Sequence, residues 1–268
     1  MWCRVILSIF VAAAISMAFG DIYIAGDSTV CDCSPRLYPQ QGWGQALAEF
    51  MEDPDQLHNC AASGKSAKIF KAEGRWQEIV DSIGKDDFVI ISFGHHESNR
   101  AKPDRYSSPK DFKALLADFV ADVRAKEATP ILATPIPHSG SFTEKDGKVH
   151  VRGGAAGIGS YVAKMVELGK ERNVPVLNLK KYAEENIPQY GISDALRLYM
   201  RIAPGEYKNC PHGKNDGLLL RDTGAFFYAK GAVLMAEKQG LPICKLFKDP
   251  NTVEHTPIPW GGPETTTK

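Results

Sequence analysis

The chain has 268 residues, with 32 lysines and arginines against 32 aspartates and glutamates, for a formal net charge of zero. That balance, without a basic stripe, argues against nucleic acid as a partner and leaves room for an uncharged or weakly acidic ligand. The length suits one sizeable core and a single α/β domain.

In chain order, residues 1–20 place Arg4 ahead of an apolar run at 5–15 and small residues around 17–20, the layout of a secretory signal cut close to Asp21. The apolar run is shorter than the roughly 20 residues a membrane span needs, and no second candidate follows. The expected mature chain is therefore extracellular, off the membrane and monomeric. It carries Cys31, Cys33, Cys60, Cys210 and Cys244. An oxidising compartment would permit one or two disulfides among them, with Cys60 and Cys210 the expected partners of Cys31 and Cys33 rather than those two of each other.

Branched, apolar runs at 21–25, 88–93, 129–134 and 174–179 read as strands. Between and after them, 44–51, 75–83, 111–126, 160–172 and 222–239 carry apolar residues at helical spacing. In 111–126, Phe112, Leu115, Leu116, Phe119, Val120 and Val123 make one face, leaving Lys113, Asp118, Asp122 and Arg124 for water. This alternation predicts a mainly parallel sheet covered on both faces, with functional loops at the carboxyl ends of its strands. The domain is expected over 21–246, and the proline-bearing tail 247–268 as a surface extension or disordered segment.

Four loops carry the chemistry. Asp27-Ser28-Thr29 follows the first strand directly, where a sharp turn exposes a hydroxyl for acyl transfer. Asn59-Cys60-Ala61-Ala62-Ser63-Gly64-Lys65-Ser66 contains a glycine whose backbone N–H can approach a developing oxyanion. Phe93-Gly94-His95-His96-Glu97 follows the strand at 88–93. Adjacent histidines rarely converge on one ion and no zinc-type spacing accompanies them, so neither a metal nor a cofactor is implied. His95 reads as a packed histidine orienting the loop. His96 is either a donor to substrate or oxyanion, or a base for Ser28. The last loop, Cys210 to Leu219, holds Asp216 with His212 four residues before it.

Gly26-Asp27-Ser28-Thr29, Gly42-Trp43-Gly44-Gln45, the Asn59 to Ser66 segment, Phe70 to Trp76, Phe93 to Glu97, Ala128 to Pro135, Gly205-Glu206-Tyr207, Asp216 and Thr223-Gly224-Ala225 together resemble the rhamnogalacturonan acetylesterase branch of the SGNH (GDSL-like) hydrolases. The resemblance implies a flavodoxin-like three-layer α/β/α sandwich and removal of acetyl groups from pectin. It implies Ser28 as nucleophile and an oxyanion hole from the N–H groups of Ser28 and Gly64 and the side chain at His96, where the family has asparagine. Glu97 stands where an aspartate is common. The family's acid falls on Asp216, and its histidine, three residues on, falls on Leu219. Leucine neither accepts nor donates a proton, so His96 and His212 become the candidate replacement bases. Two readings follow: an acetylated-polysaccharide or small-ester esterase with an atypical site, or an inactive relative that binds carbohydrate or a secreted partner. Trp43, Trp76 and Tyr207 are candidates for a sugar-binding surface or for the core.

Overall fold

The computed structural model describes residues 20–152 and 157–255. The expected signal segment, apart from Gly20, and residues 256–268 of the tail lie outside the described residues. The strands are β1 Ile22–Gly26, β2 Leu57–Asn59, β3 Phe88–Ser92, β4 Thr129–Ala133, β5 Phe142–Lys145, β6 Lys148–Val151, β7 Val176–Leu177, β8 Tyr199–Ile202 and β9 Lys214–Leu220. The helices are α1 Trp43–Ala46, α2 Ala67–Ala72, α3 Arg75–Ser82, α4 Pro109–Ala125, α5 Ile158–Arg172, α6 Leu179–Asn186, α7 Ile192–Arg197 and α8 Asp222–Lys238.

Five strands form a parallel sheet in the order β2-β1-β3-β4-β7. Strand residues alternate between its two faces, as the period of two requires. Ile22, Ile24, Phe88, Ile90, Ile131 and Ala133 enter one core with Trp43, Leu179 and much of α8. Ala25, Val89, Ile91 and Leu132 enter the other, with Trp76, Phe112, Phe119 and Met165 of α3, α4 and α5. All five residues of β3 are buried, so its branched run shows no polar alternation. The result is the expected three-layer sandwich. Strand order reverses between β1 and β3, and the crevice beyond their carboxyl ends is where open sheets of this order bind ligands.

Local rules explain most helix ends. Ser108 accepts from Asp111 N at 3.1 Å and Pro109 occupies the first turn, so α4 begins two residues ahead of the sequence expectation. The expected helix over 44–51 splits into α1 and a 3-10 turn, Leu47–Phe50. Asp122 does not simply face water: it accepts from Trp76 Nε1 at 2.8 Å, while the Trp76 ring stacks on Phe119 at 3.8 Å. Trp43 and Trp76 are both core residues, not sugar platforms. Tyr207 is half-buried beneath the Arg221 guanidinium, 5.6 Å from its ring centre.

Two further expectations change. Residues 247–255 pack on the domain: Phe247 bridges to Met51, Lys248 N donates to Phe50 O at 2.8 Å, and the His255 ring lies 5.0 Å from Phe226. The five cysteines among the described residues are unbridged. Neither Cys31 nor Cys33 is joined to Cys60 or Cys210, because the turn after Ser28 sets the Cys31 Sγ against Ser28 O at 3.8 Å and the Cys33 Sγ against Cys31 O at 3.9 Å. Among the described residues, no helix is long and apolar enough to cross a membrane, and no group of three or more His, Cys, Asp or Glu is placed to hold a metal ion.

Candidate active site

β1 stops at Gly26 and the chain turns at once. Val30 N and Cys31 N both donate to Asp27 O at 3.1 Å, while Thr29 N and Thr29 Oγ1 donate to Asp27 Oδ1 at 2.9 and 2.8 Å. Asp27 therefore ties the turn on both sides of Ser28, whose side chain is left at the rim with 7% of the residue exposed. Turns closed by an aspartate on its own following amides are a recurrent device. Here the device presents a hydroxyl at the sheet's switch point.

The other Asp27 oxygen accepts from His95 Nδ1 at 2.9 Å, and His95 Nε2 faces Ile136 O at 3.0 Å. Both ring nitrogens point at acceptors, which only the doubly protonated imidazolium satisfies. Burial pushes the His95 imidazolium toward neutrality, but the Asp27 charge and hydrogen bond outweigh it and raise its pKa. Burial likewise pushes the Asp27 carboxyl up, and His95 overcomes this to hold it below its ordinary value. His95 is thus the packed, orienting histidine expected from the sequence. It ties the Ser28 turn to the loops after β3 and β4.

His96 points the other way. Its Nε2 lies 3.3 Å from Ser28 Oγ. Burial, then repulsion from His95, Arg105 and Lys102, outweighs attraction to Asp27 and lowers its pKa, so the ring is neutral at neutral pH. Glu97, fully buried, does not enter the pocket. Its carboxyl accepts from Ala67 N at 2.5 Å and Gly94 N at 2.9 Å, stitching the start of α2 to the loop after β3. Burial pushes that carboxyl up to about 7.

Gly64 occupies the left-handed region at φ +77°, where other residues are strained. A Cβ there would lie 3.7 Å from Arg105 Nη1, which places the guanidinium directly over this glycine. Among the described residues, neither the Ser28 nor the Gly64 N–H meets an acceptor. An unengaged amide is a group that can receive a developing negative oxygen.

The far side of the cleft is different. Asp216 Oδ1 accepts from Leu218 N at 2.8 Å and Leu219 N at 2.9 Å, so the carboxylate folds its own β9 backbone. Leu219 offers only an aliphatic side chain. His212 is exposed in the β8–β9 turn, with no hydrogen bond among the described residues, and is not brought to Ser28. Of the four expected catalytic residues, only Ser28 and His96 are in mutual contact. The loop after β4 supplies a residue that sequence reasoning missed, His138. Its Nδ1 accepts from Gly140 N at 2.9 Å, and a Cβ on Gly217 would fall 2.5 Å from its Cε1. Burial and Arg201 push this imidazole toward neutrality against the pull of Asp216.

No family model matches the chain. It is 32% identical over 222 residues to the rhamnogalacturonan acetylesterase RhgT of Bacillus subtilis, covering 83% of this chain and 91% of that protein. The chain belongs to the rhamnogalacturonan acetylesterases of the SGNH hydrolase superfamily. A second Bacillus subtilis relative, the probable rhamnogalacturonan acetylesterase YesY, is 30% identical over 83% of this chain and 94% of its own length. Among solved structures, YxiM from Bacillus subtilis superposes with a TM-score of 0.70 at 26% identity, over 84% of this chain and 58% of that one. A variant of the acetyl-xylooligosaccharide esterase Axe2 from Geobacillus shares the fold at a TM-score of 0.54 and 14% identity, over 82% of this chain and 96% of its own.

Within this acetylesterase fold, the Gly205-Glu206-Tyr207 motif proves structural. Arg221 Nη1 donates to Glu206 Oε1 at 2.6 Å and Nε to Tyr199 O at 3.0 Å, while Glu206 Oε2 accepts from Ala203 N at 2.9 Å. The motif locks the β8–β9 hairpin that carries Asp216. Lys102, Arg105 and His138 carry no local pattern. Only the folded loops bring them to the cleft.

Proposed function

We propose that this protein is a secreted carbohydrate esterase that removes acetyl groups from a pectin-like polysaccharide, with Ser28 as nucleophile and His96 taking its proton. The observation that carries the reading is the 3.3 Å approach of His96 Nε2 to Ser28 Oγ by an imidazole held neutral. Ser28 Oγ attacks the acetyl carbonyl as its proton passes to Nε2, and the N–H groups of Ser28 and Gly64 receive the oxyanion. The imidazolium then protonates the departing sugar oxygen, and water repeats the sequence to release acetate. A nitrogen that accepts the proton cannot also donate to the oxyanion. The hole then has two donors where the family has three, a loss of roughly 3 kcal/mol of transition-state stabilisation.

The names of the two Bacillus relatives support an acetylated rhamnogalacturonan as substrate. Arg105 over Gly64, with Lys102 close enough to repel a charged His96, supports a substrate bearing carboxylates near the ester. Secretion rests on the pattern of residues 1–20. A second reading, binding without turnover, is favoured by the opposite flank: Leu219 stands three residues after Asp216, whose Oδ1 is committed to its own loop. Loss of the triad imidazole costs a serine hydrolase on the order of 10⁶-fold in turnover.

Acetate release from acetylated rhamnogalacturonan and from small acetyl esters separates the two. The esterase reading expects Ser28→Ala to abolish release, and His96→Ala to reduce it at least about 100-fold. Wild type and Ser28→Ala both at the no-protein baseline would sink it. Calorimetric titration with the same oligosaccharides would then report the binding function alone.

A further inference from the structure

The imidazole of His96 meets Ser28 without a group behind it. Its Nε2 lies 3.3 Å from Ser28 Oγ, while Nδ1 has no hydrogen-bond partner among the described residues. A base of this kind is ordinarily oriented by a third group on its other nitrogen. Here that task falls to the residues on either side. Before it, His95 is fixed between Asp27 Oδ2 at 2.9 Å and Ile136 O at 3.0 Å. After it comes Glu97, with no part of the residue exposed.

Glu97 is held on every side. Oε1 accepts from Ala67 N at 2.5 Å and Oε2 from Gly94 N at 2.9 Å, and its own carbonyl faces Tyr161 OH at 3.0 Å and Ser107 N at 3.3 Å. Gly94 opens the loop after β3 at φ +139°, with Pro135 Cγ 2.7 Å from where a Cβ would stand, so the direction of its N–H is set by backbone that only glycine fits. Ala67 is the first residue of α2. The stretch between β2 and α2 is therefore pinned at two points, by Ala62 N on Gly26 O at 3.0 Å and by Ala67 N on Glu97. Gly64 lies between those points.

We infer that Glu97 is a positioning residue whose carboxylate locks the loop carrying His96 to the loop carrying Gly64 and so fixes the His96 ring on Ser28. The inference rests on the base role proposed for His96. A carboxylate suits the task because it offers an acceptor oxygen to each of two amides. Glutamine offers one acceptor and turns its NH2 toward the second N–H. Aspartate keeps both oxygens but is one methylene shorter. Either leaves a buried amide unpaired unless a loop moves. A shift of about 1 Å at a reacting group can cost about 100-fold in rate.

Glu97→Gln and Ala67→Pro break this link from opposite ends. Proline suits the first position of a helix, and Ser66 before it already has the extended backbone a following proline needs, at φ −85° and ψ 163°. Glu97→Asp, which keeps the charge, is read in the same way. The histidine rings of the full chain are followed by NMR at pH 8, above the value of about 7 to which burial raises the Glu97 carboxyl. The His96 signal is identified by its loss in His96→Ala. Ser28→Ala should shift that signal in the wild-type background and shift it far less beside each link variant, because the ring has left the serine. An equal shift in link variants that are folded by circular dichroism would overturn the inference, whatever the rate of acetate release.

Kinetics give a second reading. On a small acetyl ester, Glu97→Gln should lower kcat at least about 10-fold with KM unchanged. In a His96→Ala background it should cost nothing further. Equal losses with and without His96 would make Glu97 a stabiliser of the fold alone. A wild type at the no-protein baseline would sink the esterase reading, and the NMR comparison would still decide this one.

Discussion

At the scale of single residues, two adjacent histidines have opposite electrostatic fates. His95 sits between a carboxylate and a carbonyl and is held charged, whereas His96 sits beside that charge and two further cations and is held neutral. A base must be unprotonated to act, so kcat/KM should fall on the acid side with a midpoint below about 6.5, the ordinary histidine value. A pH–rate profile of the wild type tests this. A midpoint above that value would remove His96 from the role. Leu219→His should raise acetate release about 100-fold by returning an imidazole three residues after Asp216. An unchanged rate, with the variant folded by circular dichroism, would mean that Asp216 and its loop are not placed to support a base.

At the scale of elements, short polar devices set the boundaries that packing does not. Ser108 caps α4 through Asp111 N and itself donates to Asp111 Oδ2 at 2.7 Å, a reciprocal arrangement at an exposed helix start. Ser108→Ala should lower unfolding free energy by about 1 kcal/mol in urea denaturation while leaving acetate release unchanged. Strands β1, β3, β4 and β7 were legible because runs such as Phe88–Ser92 are too short and too uniformly apolar for anything but a buried strand. Leu57–Asn59, only three residues with two polar side chains, was not. The hairpins β5–β6 and β8–β9 also escaped, since the alternation in Lys148–Val151 lasts only four residues, Glu144-Lys145 and Tyr199-Met200 break it in their partners, and the pairing is decided across the turn.

At the scale of the whole molecule, the tail closes on the domain through an ionic contact. His255 Nδ1 lies 3.3 Å from Glu49 Oε2 and Nε2 3.5 Å from Asp222 Oδ2, with Tyr38 OH donating to the same Asp222 oxygen at 2.9 Å. Burial opposes the charge on His255, but Asp222 and Glu49 prevail and raise its pKa to about 9. Burial pushes Asp222 up, and His255 with its other hydrogen bonds holds it down. A raised histidine binds its proton more tightly in the folded state. Its stabilisation is complete below about 6.5 and is lost as pH rises through about 9. The melting temperature should therefore fall more steeply between pH 7 and 9 in the wild type than in His255→Gln. Parallel curves would place no proton on this contact.

From the residues alone came the mainly parallel sheet with its covering helices and the neighbourhood of Ser28. Hydrophobic periodicity acts locally, and the turns at Ser28 and His96 each follow a legible strand whose place in a parallel sheet brings loop ends together. Tertiary structure decided which groups meet. The division of charge between His95 and His96, the exclusion of His212, and the arrival of Arg105 over Gly64 and of His138 beside Gly217 all depend on side-chain direction and desolvation. Those quantities exist only once distant segments are packed and water has been displaced between them.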